Sequence, residues 1–259
     1  MKTERGWDGG ILAGLSPEWA ERIIHFPECG STNDEARKLA LKGVANHAVV
    51  LAESQTAGRG RRGQPWTCPP GEGLACSLVV RPEAVPALWS RHALAAGLAI
   101  AEALDSFGLT AGLKWPNDVW VDQKKICGIL VEAGEGFVVI GIGLNINVRS
   151  FPEGLAHPAT SLALETGGDH SREEVLISIL KRLRVRLDQI DRGFDDMLSS
   201  WRTRCVLTGK KVTLEVNDER WVGRVEGLSS NGELLVQTAA GLQKVLQANS
   251  IRIQSSHAT

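Results

Sequence analysis

The chain is 259 residues long and 43% hydrophobic, with a formal net charge of −1 from 29 Lys and Arg against 30 Asp and Glu. That length can bury the core of one large domain and a small one, and the balanced charge excludes a global pull toward nucleic acid, so any anion site must be local. Five scattered cysteines without a C-x-x-C pair exclude a disulfide framework or a cysteine zinc site, and no signal-peptide pattern or bilayer-length apolar run is present, so a cytoplasmic protein that does not enter membranes is expected.

Residues 1–20, with several glycines and a Ser16-Pro17 turn signal, read as an irregular lead-in, too few for a DNA-binding module. Residues 21–26 form a short strand, and Thr32-x-x-Glu35 reads as a capping box that opens a helix closed by Gly43. Residues 48–53 are a second strand and 74–80 a third. Pro86 stands at a first helical position, predicting a long helix that ends near Gly108. Short β-like runs at 113–115, 119–121, 126–132 and 137–142 are separated by turn sequences, which predicts a mixed, largely antiparallel sheet. Apolar residues at helical spacing predict a helix over 171–191. From Lys210 the texture changes to short strands at 212–216, 221–226, 234–237 and 243–246, which suit a small β-barrel.

Between the second and third strands lies Gly58-Arg59-Gly60-Arg61-Arg62-Gly63. Glycine permits positive φ and close approach of backbone to a ligand, and guanidinium groups take phosphate or carboxylate in bidentate geometry. Together they read as a flexible anion clamp. The spacing also satisfies G-x-G-x-x-G, but Gln64-Pro65-Trp66 follows where the dinucleotide fingerprint needs a helix, and Pro65 stands where the kinase loop carries valine. A solvated Arg/Gly loop or a small nucleic-acid patch is the alternative.

Further clusters fall in turns or at strand ends, where functional groups are commonly displayed. They are Ser31-Thr32-Asn33, Gln55, Trp66, Lys114-Trp115-Pro116-Asn117-Asp118, Lys125 with Gly128, and Gly141-Ile142-Gly143-Leu144-Asn145. Each also has a plain reading: an N-cap at Thr32, a core-edge tryptophan, an ordinary turn at 116–118, a bulge at Gly128. Their joint occurrence in this order resembles the biotin protein ligases, from about residue 21 to the C-terminus.

The resemblance implies an α+β fold: a catalytic domain like that of class II aminoacyl-tRNA synthetases and lipoate ligases over 1–208, and an SH3-like β-barrel over 209–259. It implies ATP-dependent activation of biotin as biotinyl-5′-AMP, then transfer to a lysine of a biotin carboxyl carrier protein. Lys125 and Arg61 are the expected catalytic residues. Ser31, Thr32, Asn33, Gln55, Arg59, Gly60, Arg61, Lys125, Gly128 and Gly141 are expected at biotin. Arg59, Arg61, Arg62, Trp66, Lys114, Asn117, Lys125 and Asn145 are expected at ATP or the adenylate, with Mg²⁺ accompanying ATP and met by Asp118. The Arg59-Gly60-Arg61 segment is expected to close over the intermediate, its glycines supplying backbone N–H groups. A homodimer is left open, and no specific DNA binding is expected. Three rival readings stand beside this one: a lipoate ligase, against which the polar Ser31-Thr32-Asn33 set with Gln55 argues, a nucleic-acid-binding regulator using the Arg/Gly loop, and a catalytically dead ligand-binding relative, against which the retained Lys125 argues.

Overall fold

The structure, a computed structural model, describes residues 19, 21–83 and 85–254. Apart from Trp19, the expected lead-in lies outside them. The first elements are β1 (Ile23–Cys29), α1 (Thr32–Leu41) and β2 (Val49–Gln55). β1 and β2 run parallel, with Ile23 opposite Val49, as a helical crossover between neighbouring strands requires. Next come β3 (Gly73–Val80), α2 (Arg91–Asp105), β4 (Gly112–Lys114), β5 (Asp118–Val121), β6 (Lys124–Gly134) and β7 (Phe137–Asn145). The sheet order is β1-β2-β3-β7-β6-β5-β4, and every pairing after the first is antiparallel. The expected mixed sheet is present.

Alternation along the central strands sorts their side chains between two layers, because successive residues of a strand point to opposite faces. Val50, Val79, Phe137 and Val139 pack with Ala36 and Ala40 of α1. Their neighbours Val49, Leu51, Leu78, Val138 and Ile140 join the main core. That core includes α2, α4 (Arg172–Arg192) and α5 (Phe194–Thr203). Leu98, Ile100 and Leu104 of α2 are fully buried, each contributing roughly 1.5–3 kcal/mol relative to exposure. Between sheet and helices the chain makes the short α3 (Leu162–Thr166).

The last strands, β8 (Lys211–Val216), β9 (Glu219–Leu228), β10 (Leu234–Thr238), β11 (Gly241–Val245) and β12 (Ser250–Ile253), form an antiparallel sheet in the order β11-β10-β9-β8-β12. Trp115 ties the two parts of the chain together by donating its indole N–H to Gly232 O at 3.0 Å. Among the described residues, no helix is long and apolar enough to cross a membrane.

Three local expectations change. Pro86 opens only a 3₁₀ turn, Pro86–Leu88, and the long helix begins at Arg91. The N-cap of α1 is Ser31, which makes no side-chain capping bond. Glu35 does not reach back as a capping box requires; its carboxylate takes Lys38 Nζ at 2.7 Å. The Thr32 hydroxyl is drawn instead to Gln55 across on β2. Finally, α3, α5 and β12 were not among the predicted elements.

Candidate functional site

Gly141 and Gly143 lie on the face of β7 that α1 covers, and both are required by what rests on them. A Cβ at 141 would collide with the Asn33 amide, and one at 143 with the Trp66 indole. Asn33 and Trp66 therefore lie directly against the sheet at adjacent same-face positions. Trp66 also approaches Gly128 on β6, where an added Cβ would sit 3.6 Å from its Cζ3. The indole N–H of Trp66 is buried against β7 without a hydrogen-bond partner.

Around Asn33 the polar groups form a closed network. The Thr32 backbone N–H and hydroxyl both donate to Gln55 Oε1, at 2.8 and 3.1 Å. The Ser77 hydroxyl donates to Asn33 Oδ1 at 2.6 Å and lies 2.8 Å from Thr32 Oγ1. Asn33 Nδ2 donates to Glu132 Oε2 at 2.7 Å. Ser31, Thr32, Asn33 and Ser77 are all buried. The result is a floor of hydroxyl and amide groups with fixed orientation.

On the same face of the sheet, toward β5 and β4, the side chains are cationic. Lys125 Nζ pairs with Asp118 Oδ1 at 2.7 Å. The backbone of Lys125 is itself pinned, its N–H to Pro158 O at 2.8 Å and its C=O from Thr160 N–H at 2.9 Å. Lys114 is buried, with Nζ 4.2 Å above the Trp120 ring and 3.3 Å from His157 Nε2. Burial pulls Lys114 down to about 8. Burial, then the Lys114 charge, lowers His157. Asn117 Nδ2 donates to Ile129 O at 2.6 Å, and Asn145 Nδ2 to Thr160 O at 3.0 Å.

The Arg/Gly loop spans both sides. It closes on itself through Gly60 N–H to Gln64 O at 2.7 Å and Trp66 N–H to Gly58 O at 3.0 Å. The Gly60 amide is thus engaged inside the loop rather than open to a ligand, a correction to the expected glycine N–H clamp. Positive φ falls at Arg62 and Gly63, at 58° and 70°. Arg59 makes a bidentate pair with Asp34, both bonds 2.7 Å, and two further bonds of 3.1 Å to Glu132. These carboxylates raise the Arg59 guanidinium, and Arg59 in turn lowers Asp34. Arg61 donates to Asn117 Oδ1 at 3.2 Å and to Ala248 O at 3.1 Å, just before β12. Arg62 donates to Asn249. Burial lowers Arg61.

These groups line one cleft of about 690 Å³, and every residue expected at the site from the sequence borders it: Ser31 to Asn33, Gln55, Arg59 to Arg62, Trp66, Lys114, Asn117, Asp118, Lys125, Gly128, Gly141 and Asn145. Sequence reasoning missed Ser77, Asp34, Glu132 and His157, and also Ala248 and Asn249, which contact the loop from the far end of the chain. Among the described residues, no group of three His, Cys, Asp or Glu is arranged to hold a metal. A cation at Asp118 would have to share that carboxylate with Lys125.

The pattern of the biotin/lipoate A/B protein ligase family matches residues 27–147, and that of the biotin protein ligase C-terminal domain matches 208–252. The chain is 34% identical to the biotin–[acetyl-CoA-carboxylase] ligase of Paracoccus denitrificans, covering 83% of this chain and 94% of that one. It is 32% identical to the bifunctional ligase/repressor BirA of Bacillus spizizenii, over 92% of this chain and 77% of the relative. The biotin protein ligase of Aquifex aeolicus in complex with biotin and ATP superposes with a TM-score of 0.81 at 32% identity, covering 90% of this chain and all of that one.

Proposed function

The chain belongs to the biotin/lipoate A/B protein ligase family and is a biotin ligase, and from that premise we propose that it activates biotin with ATP as biotinyl-5′-AMP and passes the biotinyl group to a specific lysine of a biotin carboxyl carrier protein or domain. The observation that carries the reading is that one cleft joins a neutral hydrogen-bonding floor to a cationic wall. Biotin's ureido ring presents both N–H and C=O, which hydroxyl and amide groups of fixed orientation can match. The ATP α-phosphate and the biotin carboxylate need the cations.

In the first step a carboxylate oxygen of biotin attacks the α-phosphorus and pyrophosphate leaves. Two anions must meet, and the positioned ammonium of Lys125 offsets their repulsion and stabilises charge growing on the α-phosphoryl oxygens. Its pinned backbone keeps it in place for that contact. Lys114, Asn117 and Asn145 are assigned to the nucleotide. Mg²⁺ needs only one or two protein carboxylates when phosphates supply its other ligands, so the cleft fits it as an ion carried by ATP, with Asp118 as the carboxylate available and charge neutralisation as its contribution. In the second step the carrier amine attacks the acyl carbonyl of the mixed anhydride and AMP leaves. Trp66, lying on Gly128 and Gly143, and the Arg/Gly loop exclude water from the anhydride meanwhile.

The rival readings lose support. An apolar acid such as lipoate gives the floor's amides and hydroxyls nothing to recognise, and the three loop guanidinium groups are all engaged within the protein, so they form no open basic patch. The test is pyrophosphate exchange into ATP with purified protein, followed by mass analysis of a carrier protein. Biotin-dependent exchange and one biotinyl group on a single carrier lysine are expected. Exchange supported by lipoate but not biotin would overturn the reading.

A further inference from the structure

Arg59 differs from the other two arginines of its loop. Arg61 and Arg62, at the tip, each make contacts at the far end of the chain, whereas Arg59 at the base is gripped by two carboxylates from separate elements. Asp34 belongs to α1 and Glu132 to β6. Four bonds of 2.7 to 3.1 Å join them, and the two carboxylates offset the charge that would draw an incoming anion. Glu132 is shared: its Oε2 also accepts the Asn33 amide N–H at 2.7 Å. The Asn33 side chain cannot drift from that contact, since Gly141 lies directly beneath it and Ser77 holds its other end.

We propose that Glu132 is a positioning residue that couples the amide of Asn33 on the cleft floor to Arg59 at the base of the Arg/Gly loop, so that floor geometry and loop anchoring depend on one carboxylate. Arg59 is then a strut rather than a phosphate contact. The inference rests on the proposed reading for the identity of the ligand on the floor, biotin, but the Glu132 linkage itself lies within the protein. Asp34 supplies the internal comparison, because it holds Arg59 and its carboxylate accepts no hydrogen bond from the Asn33 amide.

Glu132→Gln keeps the shape and removes the charge, and Asp34→Asn does the same on the other side of Arg59. Tryptic cleavage after the loop arginines, measured on ligand-free protein, reads the anchoring. The biotin and ATP KM values in pyrophosphate exchange read the floor. Losing a charged hydrogen-bond partner should speed loop cleavage about tenfold in both variants. Only Glu132→Gln should also raise the biotin KM, by about tenfold, with the ATP KM held within about twofold. Glu132→Asp is the milder second variant should Glu132→Gln fold poorly, and it should move both readouts in the same direction. Wild-type cleavage and biotin KM in a folded Glu132 variant would sink the proposal, as would an equal rise in both KM values, the mark of a merely structural role. If the wild-type protein shows no exchange, the proposed function fails. Biotin affinity by calorimetry then replaces KM, and the coupling stands or falls on the same contrast between Glu132 and Asp34.

Discussion

The two ends of the cleft treat their polar groups in opposite ways. On the α1 side, Thr32, Asn33, Gln55, Ser77 and Glu132 are bonded chiefly to one another, so the floor is ordered before any ligand arrives. On the β5–β6 side, Lys125 faces a single carboxylate, and Lys114 is held over an aromatic ring beside a histidine. A neutral ring is recognised by fixed donors and acceptors, whereas a transition state gaining negative charge is recognised by positioned cations, here Lys114 beside an aromatic ring and Lys125 held by Asp118.

The contrast can be broken most severely at Lys125. Lys125→Ala should slow biotin-dependent pyrophosphate exchange by about 100- to 1000-fold, the range for a lost transition-state electrostatic contact. Calorimetric biotin affinity should fall far less, because the floor proposed to hold the ureido ring is left intact. Near-normal exchange by a folded variant would remove Lys125 from the chemistry.

Two single-methyl substitutions on β7 separate the sides. Gly141→Ala displaces Asn33 and Gly143→Ala displaces Trp66, so the first should raise the biotin KM and the second the ATP KM, each by about tenfold if the loss is one aromatic or hydrogen-bonding contact. Identical KM patterns in the two variants would show that the cleft is not divided at β7.

A pH profile sharpens the picture further. With its pKa lowered to about 8 by burial, Lys114 carries its charge below that pH and loses it above. Affinity for the nucleotide should therefore be greatest below pH 8 and fall as pH rises through it, while biotin affinity measured alone stays flat. The profile should flatten in Lys114→Met; an unchanged slope in that variant would assign the titration elsewhere. The smallest effect belongs to Arg62→Ala, since Arg62 is exposed and its contact with Asn249 lies at the surface, so the melting temperature should move by less than about 2 °C. A larger drop in a melting curve would make the tip contact structural.

Most of the fold was legible because the sheet's apolar alternation and the turn residues agree. The pattern for α5 was also present: Phe194, Met197, Leu198 and Trp201 fall at helical spacing and are all buried. β12 has only four residues, too few to show alternation. At the site, Thr32, Asn33, Gln55 and Lys125 stood out because their segments are unusual as sequence. Ser77 did not, since a small hydroxyl inside an apolar strand reads as core. Glu132 sits near the end of β6, where a solvated carboxylate is ordinary, and its bond to Asn33 spans 99 positions. Nothing local encodes such a contact; the sheet order creates it by placing β6 beside β7 and α1 above.

The contacts of Arg61 with Ala248 and of Arg62 with Asn249 each join positions 187 apart in the chain. During synthesis, when the N-terminal part of a chain folds first, the floor and Lys125 are in place long before residues 248 and 249 emerge from the ribosome. The tip of the loop gains those two partners only once residues 248 and 249 have been made. A chain cut between β8 and Ala248 therefore keeps the residues proposed for activating biotin but lacks the partners that hold the loop's tip. Under the proposed function, those two partners would mark the difference between a contained intermediate and a reactive anhydride free to label whatever amine stands nearby.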